Sequence, residues 1–160
     1  MIVGDPYKFA IVREEIKEWN IDNTFSNGVL LFFIDGAIFP KEIITVSLNC
    51  ELRPLKDKLK QLCTNQELFD VPKEVAFRKL YNITYPKNIE IGNDYCFDIT
   101  PPSFLDNNCC IFGFNNGSQV KILAAKLNYK RSTGRHELDK ITVIEAVLPV
   151  EELNEIVRQL

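Results

Sequence analysis

Residues 28–39 read GVLLFFIDGAIF. Val29–Ile34 is an unbroken run of branched and aromatic side chains, the composition of a buried strand. Asp35-Gly36 interrupts the run, and Ala37-Ile38-Phe39 is apolar again. An Asp-Gly pair between two apolar runs is the strongest short-range hairpin signal, because a type I′ turn needs positive φ at both central residues. Pro40 ends the return strand, and β character resumes over Ile43–Leu48. Strands joined by so short a turn pair antiparallel, and the rest of the chain is read around that hairpin.

On its N-terminal side, Gly4-Asp5-Pro6 is a turn signal. It launches Phe9–Trp19, whose alternation is only partial, with Phe9 and Ile11 on one side; the expectation is an irregular or bulged strand. On the C-terminal side, Leu55, Leu59 and Leu62 recur at helical spacing with Lys56, Lys58 and Lys60 off that face. Pro54 belongs in a first turn, so this helix is expected to start near residue 53. A second helix is expected from Pro72 to about Tyr81, with Glu74 in its first turn. Residues 82–108, punctuated by proline, glycine and asparagine, read as loop. Cys109–Phe114, Val120–Tyr129 and Ile141–Leu148 read as strands. Asn116-Gly117 marks the first turn between them, and the longer charged stretch Lys130–Lys140 is the second connection. Pro149 opens a last helix. Its stripe is Leu153, Ile156, Val157 and Leu160, with Glu151 and Glu152 at the positive end of the helix dipole and Arg158 near the other. Helices that do not alternate with strands imply an α+β fold, an antiparallel sheet with helices packed on one face or edge. With no repeat, low-complexity stretch or Gly/Ser linker, residues 1–160 are expected to form a single domain.

The chain has 160 residues, 46% hydrophobic and 26% charged. That is enough to bury one core, and it excludes a disordered tail, a collagen-like fibre and a simple coiled coil. The formal net charge is −3, which speaks against a non-specific nucleic-acid binder and fits a basic protein partner better. No secretory signal opens the chain, and the longest apolar run, Val29–Ile34, is far short of a membrane span; a cytoplasmic, membrane-free protein is expected. Five cysteines, an odd number and without a CxxC pair, are expected to be reduced and to bind no metal.

No enzyme signature stands out. His136, the only histidine, lies in the charged connection and reads as a solvated loop residue. Gly113–Gly117 lacks the spacing of a phosphate-cradling loop and reads as a hairpin turn. Lys121, Lys126, Lys130, Arg131, Arg135 and Lys140 form a basic cluster, but strand alternation sets Lys121 and Lys126 on opposite faces, and a solvated edge guarded by lysines is the better reading. The acidic stretch is more unusual. From residue 88 to residue 120 there is no Lys or Arg, while Glu90, Asp94, Asp98 and Asp106 lie within it. Tyr95, Phe97, Phe104, Phe112 and Phe114 interleave with them. Asp and Asn also form turns, but an acidic, aromatic, loop-rich surface suits docking of a cationic protein, so these four acids are the candidate partner-binding residues. Glu14, Glu15, Glu18 and Asp22 form a second acidic group, broken by Lys17, that reads as a solvated face.

The opening Met1–Ile11, MIVGDPYKFAI, resembles the start of a bacterial immunity-protein family of polymorphic toxin systems, including contact-dependent growth inhibition. The resemblance continues in Asn27-Gly28, in Ile34-Asp35-Gly36 with Pro40, in Leu48–Leu52, and in Ile141–Leu148 with its following helix. It implies a small cytosolic protein that binds and neutralises a toxin domain delivered by a neighbouring cell, without catalysis and without a cofactor. The matching motifs are turns, so the resemblance carries over no binding residues. If the toxin is a nuclease, its groove is basic and an acidic surface would mimic phosphates. The alternatives are a small cytosolic enzyme or small-molecule-binding α+β domain, favoured by convergent polar groups in a closed apolar pocket, and a subunit of a larger assembly, favoured by a large exposed apolar patch.

Overall fold

The hairpin that decides the fold class forms as expected. In the computed structural model, which describes residues 1–21 and 24–160, strand β3 (Asn27–Ile34) turns at Asp35 and Gly36 into β4 (Ala37–Phe39). Asp35 and Gly36 both have positive φ, 51° and 76°, the geometry that makes Asp-Gly the favoured pair. Along β3, Gly28, Leu30, Phe32 and Ile34 are buried and the residues between them half-buried. Gly28 lies against β2: a Cβ there would stand 2.0 Å from the Glu14 carbonyl oxygen.

Strand β2 (Phe9–Glu15) pairs with β3 in continuous register from Phe9–Ile34 to Glu15–Gly28. The expected irregular strand is therefore a regular one that stops at Glu15, and a single 3-10 turn at Lys17–Trp19 follows. Phe9, Ala10 and Ile11 are all buried; with both faces of that end covered, alternation is hidden. The Gly4-Asp5-Pro6 turn is a hairpin turn preceded by a further strand, β1 (Ile2–Asp5), antiparallel to β2. Strand β5 (Thr45–Ser47) shares the edge of β3 with β4, completing a five-stranded sheet.

Helix α1 spans Leu48–Lys60, five residues longer at its start than the position of Pro54 suggests. Pro54 sits inside the helix, where it removes one backbone donor. Burial of Leu48, Leu55 and Leu59 supplies the apolar stripe that outweighs the loss. Helix α2 (Gln66–Asp70), N-capped by the Asn65 side chain, precedes α3 (Lys73–Thr84). The latter begins beside Pro72 as expected and runs to Thr84. The stretch read as loop contains a short helix, α4 (Pro102–Asp106).

The second sheet is three-stranded, in the order β10-β7-β6: β6 (Cys109–Asn115), β7 (Gln119–Lys126) and β10 (Ile144–Pro149). Six consecutive residues of β6 and six of β7 are buried, because this sheet is covered on both sides. Cys109, Ile111, Ile122, Ala124 and Ala146 join a core with the first sheet, α1, α4 and helix α5 (Val150–Gln159). Cys110, Phe112, Phe114, Leu123 and Ala125 join a second core with α2 and α3. The α+β class and antiparallel pairing thus hold, with the strands divided between these two sheets and a small ribbon instead of lying in one sheet. The expected strand Val120–Tyr129 breaks at Leu127, and Asn128–Lys130 (β8) pairs instead with Arg135–Glu137 (β9) as a two-stranded ribbon. Ile141–Val143 precede β10 rather than belong to it.

Candidate functional site

The acidic stretch runs from the C-terminal end of α3, through the loop that follows, to α4. Glu90 and Asp94 are exposed on that loop, and Asp106 is exposed at the end of α4. The loop is tied down along its length. The Glu90 backbone N–H donates to Asn88 Oδ1 at 3.0 Å, the Asp94 N–H to the Ile83 carbonyl at 3.2 Å, and the Cys96 N–H to Asp94 Oδ1 at 2.9 Å. Asp98 differs from the other three. It is buried, its Oδ1 accepts the Thr100 N–H at 2.9 Å, and its Oδ2 stands 3.8 Å from Lys58 Nζ. Residue 98 forms a lone bridge with Phe112 of β6, and that strand-like pairing turns its carboxylate inward. Asp98 therefore holds the fold, and the three other acids face solvent.

The neighbours of Asp94 and Asp106, namely Asn93 and Leu105, line one open groove of roughly 410 Å³, together with Tyr81 of α3, Tyr85 just after it and the β8–β9 ribbon. His136 of β9 is central to it. Far from a solvated loop residue, it is half-buried, with Nε2 3.0 Å from Asn108 Oδ1 and Nδ1 2.7 Å from the Tyr81 hydroxyl. The Asn108 oxygen accepts only, so Nε2 carries the proton and Tyr81 donates to Nδ1. Burial holds the imidazole below its ordinary range, which keeps this neutral tautomer in place. Burial pushes the Tyr81 hydroxyl up to about 12. The Tyr85 hydroxyl is pushed up further, by burial first and then by the Asp98 carboxylate, and among the described residues it has no hydrogen-bond partner. Tyr81 thus keeps its proton, both nitrogens of His136 are engaged, and no carboxylate orients the ring. This arrangement fastens the ribbon to α3; it does not activate a nucleophile.

Of the aromatics interleaved with the acids, Phe97, Phe104, Phe112 and Phe114 are core residues and only Tyr95 is exposed. The exposed apolar groups of this face are instead Ile83, Ile89, Ile91 and Tyr95. Ile89 and Ile91 escape the sequence reading because an alternation of two residues is too short to mark an element; their position among Asn88, Gly92 and Asn93 in a loop is the available signal.

The expected solvated edge is corrected for Lys121, because β7 is the central strand of its sheet and not an edge, although Lys121 and Lys126 do take opposite faces. Lys121 is buried, donates to the Phe69 carbonyl at 2.6 Å and lies 3.3 Å from Glu145, whereas Lys126 is exposed and pairs with Glu42. Glu14 pairs with the N-terminal ammonium at 2.7 Å, Glu15 and Glu18 are exposed, and Asp22 lies outside the described residues. The expectation of five reduced cysteines is corrected: Cys63 and Cys96, with Cα atoms 6.2 Å apart, form a disulfide. The fold brings together two cysteines 33 residues apart, a proximity that spacing alone cannot reveal. Cys50, Cys109 and Cys110 are free, and burial raises the thiols of Cys109 to about 11 and Cys110 to about 12. Among the described residues no group of three or more His, Cys, Asp or Glu side chains could hold a metal ion.

A family model described as Immunity protein 42 matches residues 1–160. The chain belongs to that family. It is an immunity protein, which binds and neutralises a cognate toxin, as the resemblance of Met1–Ile11 implies. The fold of this immunity protein is similar to that of a solved structure, the crystal structure of CdiI from Burkholderia dolosa AUO158. The TM-score is 0.78 with 24% sequence identity, over 99% of this chain and 97% of that one. No curated protein matches the chain. Among the described residues of the immunity protein no helix is long and apolar enough to cross a membrane.

Proposed function

We propose that residues 1–160 act as one inhibitory domain that neutralises its toxin by stoichiometric binding in the cytoplasm, without catalysis of its own and without contact with nucleic acid. The toxin is basic, a nuclease being the chemistry that best fits, and it is delivered by a neighbouring cell, as in contact-dependent growth inhibition. Glu90, Asp94 and Asp106 meet it, and Asp98 supports their segment from within. One observation carries this reading beyond the family. A stretch without a single Lys or Arg, residues 88–120, places three of its four acids in solvent, two of them beside residues lining one groove. Such a surface attracts a cationic partner at long range and would compete with phosphates for a basic groove.

The test uses the cognate toxin domain, to be sought in the gene neighbouring that of this chain. Co-expression should restore growth, and toxin activity titrated with purified immunity protein should fall linearly to zero at one equivalent. Complete loss of activity at a small fraction of an equivalent would instead reveal catalysis, and persistent activity at excess would reject inhibition altogether.

A further inference from the structure

Isolated apolar side chains on a surface are ordinary, but the loop after α3 concentrates them. Ile89 is 94% exposed, Ile91 59% and Tyr95 54%, and Ile83, in the last turn of α3, adds a half-exposed neighbour. Glu90 and Asp94 stand among them. The loop is ordered by contacts that leave Ile89 and Ile91 exposed, while the Tyr95 ring packs edge-on against Tyr85. At its start Arg135 donates to the Lys87 carbonyl at 2.8 Å. In its middle the Ile91 N–H donates to the Asn88 carbonyl at 3.1 Å, and Asn93 Nδ2 to the Thr84 carbonyl at 2.8 Å. At its end Cys96 is bonded to Cys63. The backbone is therefore fixed while its isoleucines have no use inside the fold. A rigid loop that presents apolar groups beside two acids has little ordering entropy left to lose on binding, so its isoleucines are suited to anchor an interface.

We propose that residues 87–96 form the anchoring loop of the toxin interface, with Ile89 and Ile91 entering an apolar depression on the toxin and Glu90 and Asp94 meeting lysines or arginines at its rim. The occupant is the cationic toxin rather than a second copy of this chain, because like acids on two copies of the loop would repel. Lys87 and Arg135, at the ribbon end of the groove, set the limit of the acidic rim. The inference rests on the inhibitory reading above and names the part of the surface that carries the affinity.

Titration of the cognate toxin domain against the immunity protein, with the wild type measured alongside, tests it. Ile89→Ser/Ile91→Ser should weaken binding about thirtyfold or more, mostly through faster dissociation, with thermal unfolding unchanged. Ile89→Ala and Ile91→Ala singly should each show part of the loss. Ile43→Ser, at an exposed position outside the patch, should bind within about twofold of wild type. Wild-type binding with an unaffected double variant would overturn the anchoring loop and leave the inhibitory reading standing. So would a loss confined to a Trp19→Ser variant, or a dimer of this chain that the isoleucine substitutions dissociate without changing toxin affinity. Failure of the wild type itself to bind would overturn both.

Discussion

At the scale of single residues, physical context decides what a charge or a ring can do. Asp98 and Asp106 are alike in sequence, both acids in a stretch free of cations, yet one is buried against Thr100 and Lys58 and the other is exposed. Asp98→Ala should lower stability by about 1–3 kcal/mol, because the buried Thr100 N–H loses its acceptor. Asp106→Lys should change stability by no more than about 0.5 kcal/mol; denaturant unfolding of the two variants checks both figures. His136 offers a second measurement. As the only histidine it gives one imidazole titration by NMR, and burial should place that titration below the ordinary histidine value of 6.5. The unfolded chain then binds the proton more readily than the folded one, so stability is retained above 6.5 and falls as pH drops through that value. His136→Gln should flatten this acid limb, and a folded-state titration at or above 6.5 would contradict the buried, Tyr81-bonded ring. The acids were legible in sequence as a group. Their division into three exposed and one buried was not, because the turn of Asp98 inward depends on its bridge to Phe112, a contact across the chain.

Elements defined by local chemistry were the readable ones. The Asp-Gly turn, the start of α3 beside Pro72 and the α5 stripe each rest on a few adjacent residues, and each forms as local rules require. Leu153, Ile156 and Val157 are buried against the first core, so Ile156→Ala should cost about 2–5 kcal/mol in chemical denaturation; a loss under about 0.5 kcal/mol would put α5 on the surface. Elements defined by distant partners were hidden. The small strands β1, β8 and β9 exist through pairing rather than composition, and α1 extends past its own proline because Leu48 is buried in the core. The division of the strands into two sheets is equally non-local, since both faces of β6 and β7 are apolar and their alternation is masked. The Cys63–Cys96 bond belongs with these. It closes a 33-residue separation, and Cys63→Ser/Cys96→Ser should lower stability by about 2–4 kcal/mol under oxidising conditions. Added reductant should reproduce that loss in the wild type and leave the double variant unchanged.

Across the whole molecule, the two cores serve one arrangement: a sheet covered by a second sheet on one side and by α2 and α3 on the other, with α3 leading into the acidic loop. That loop, the ribbon and α4 border one groove, and the Tyr81–His136–Asn108 fastening, the Arg135–Lys87 and Asn93–Thr84 hydrogen bonds and the Cys63–Cys96 bond hold its walls together while Glu90, Asp94 and Asp106 stay exposed. Membership of an immunity-protein family implies a toxin as partner, and the proposed steering falls to the acids on this face. The most direct measurement is the association rate of the toxin domain at low and high salt, for the wild type and for Glu90→Lys/Asp94→Lys/Asp106→Lys. Electrostatic steering predicts a wild-type rate that falls steeply with salt, and a folded triple variant that associates about tenfold or more slowly at low salt with little salt dependence left. An unchanged rate and salt slope in the folded triple variant, with both reduced instead by reversing Glu14, Glu15 and Glu18, would contradict it.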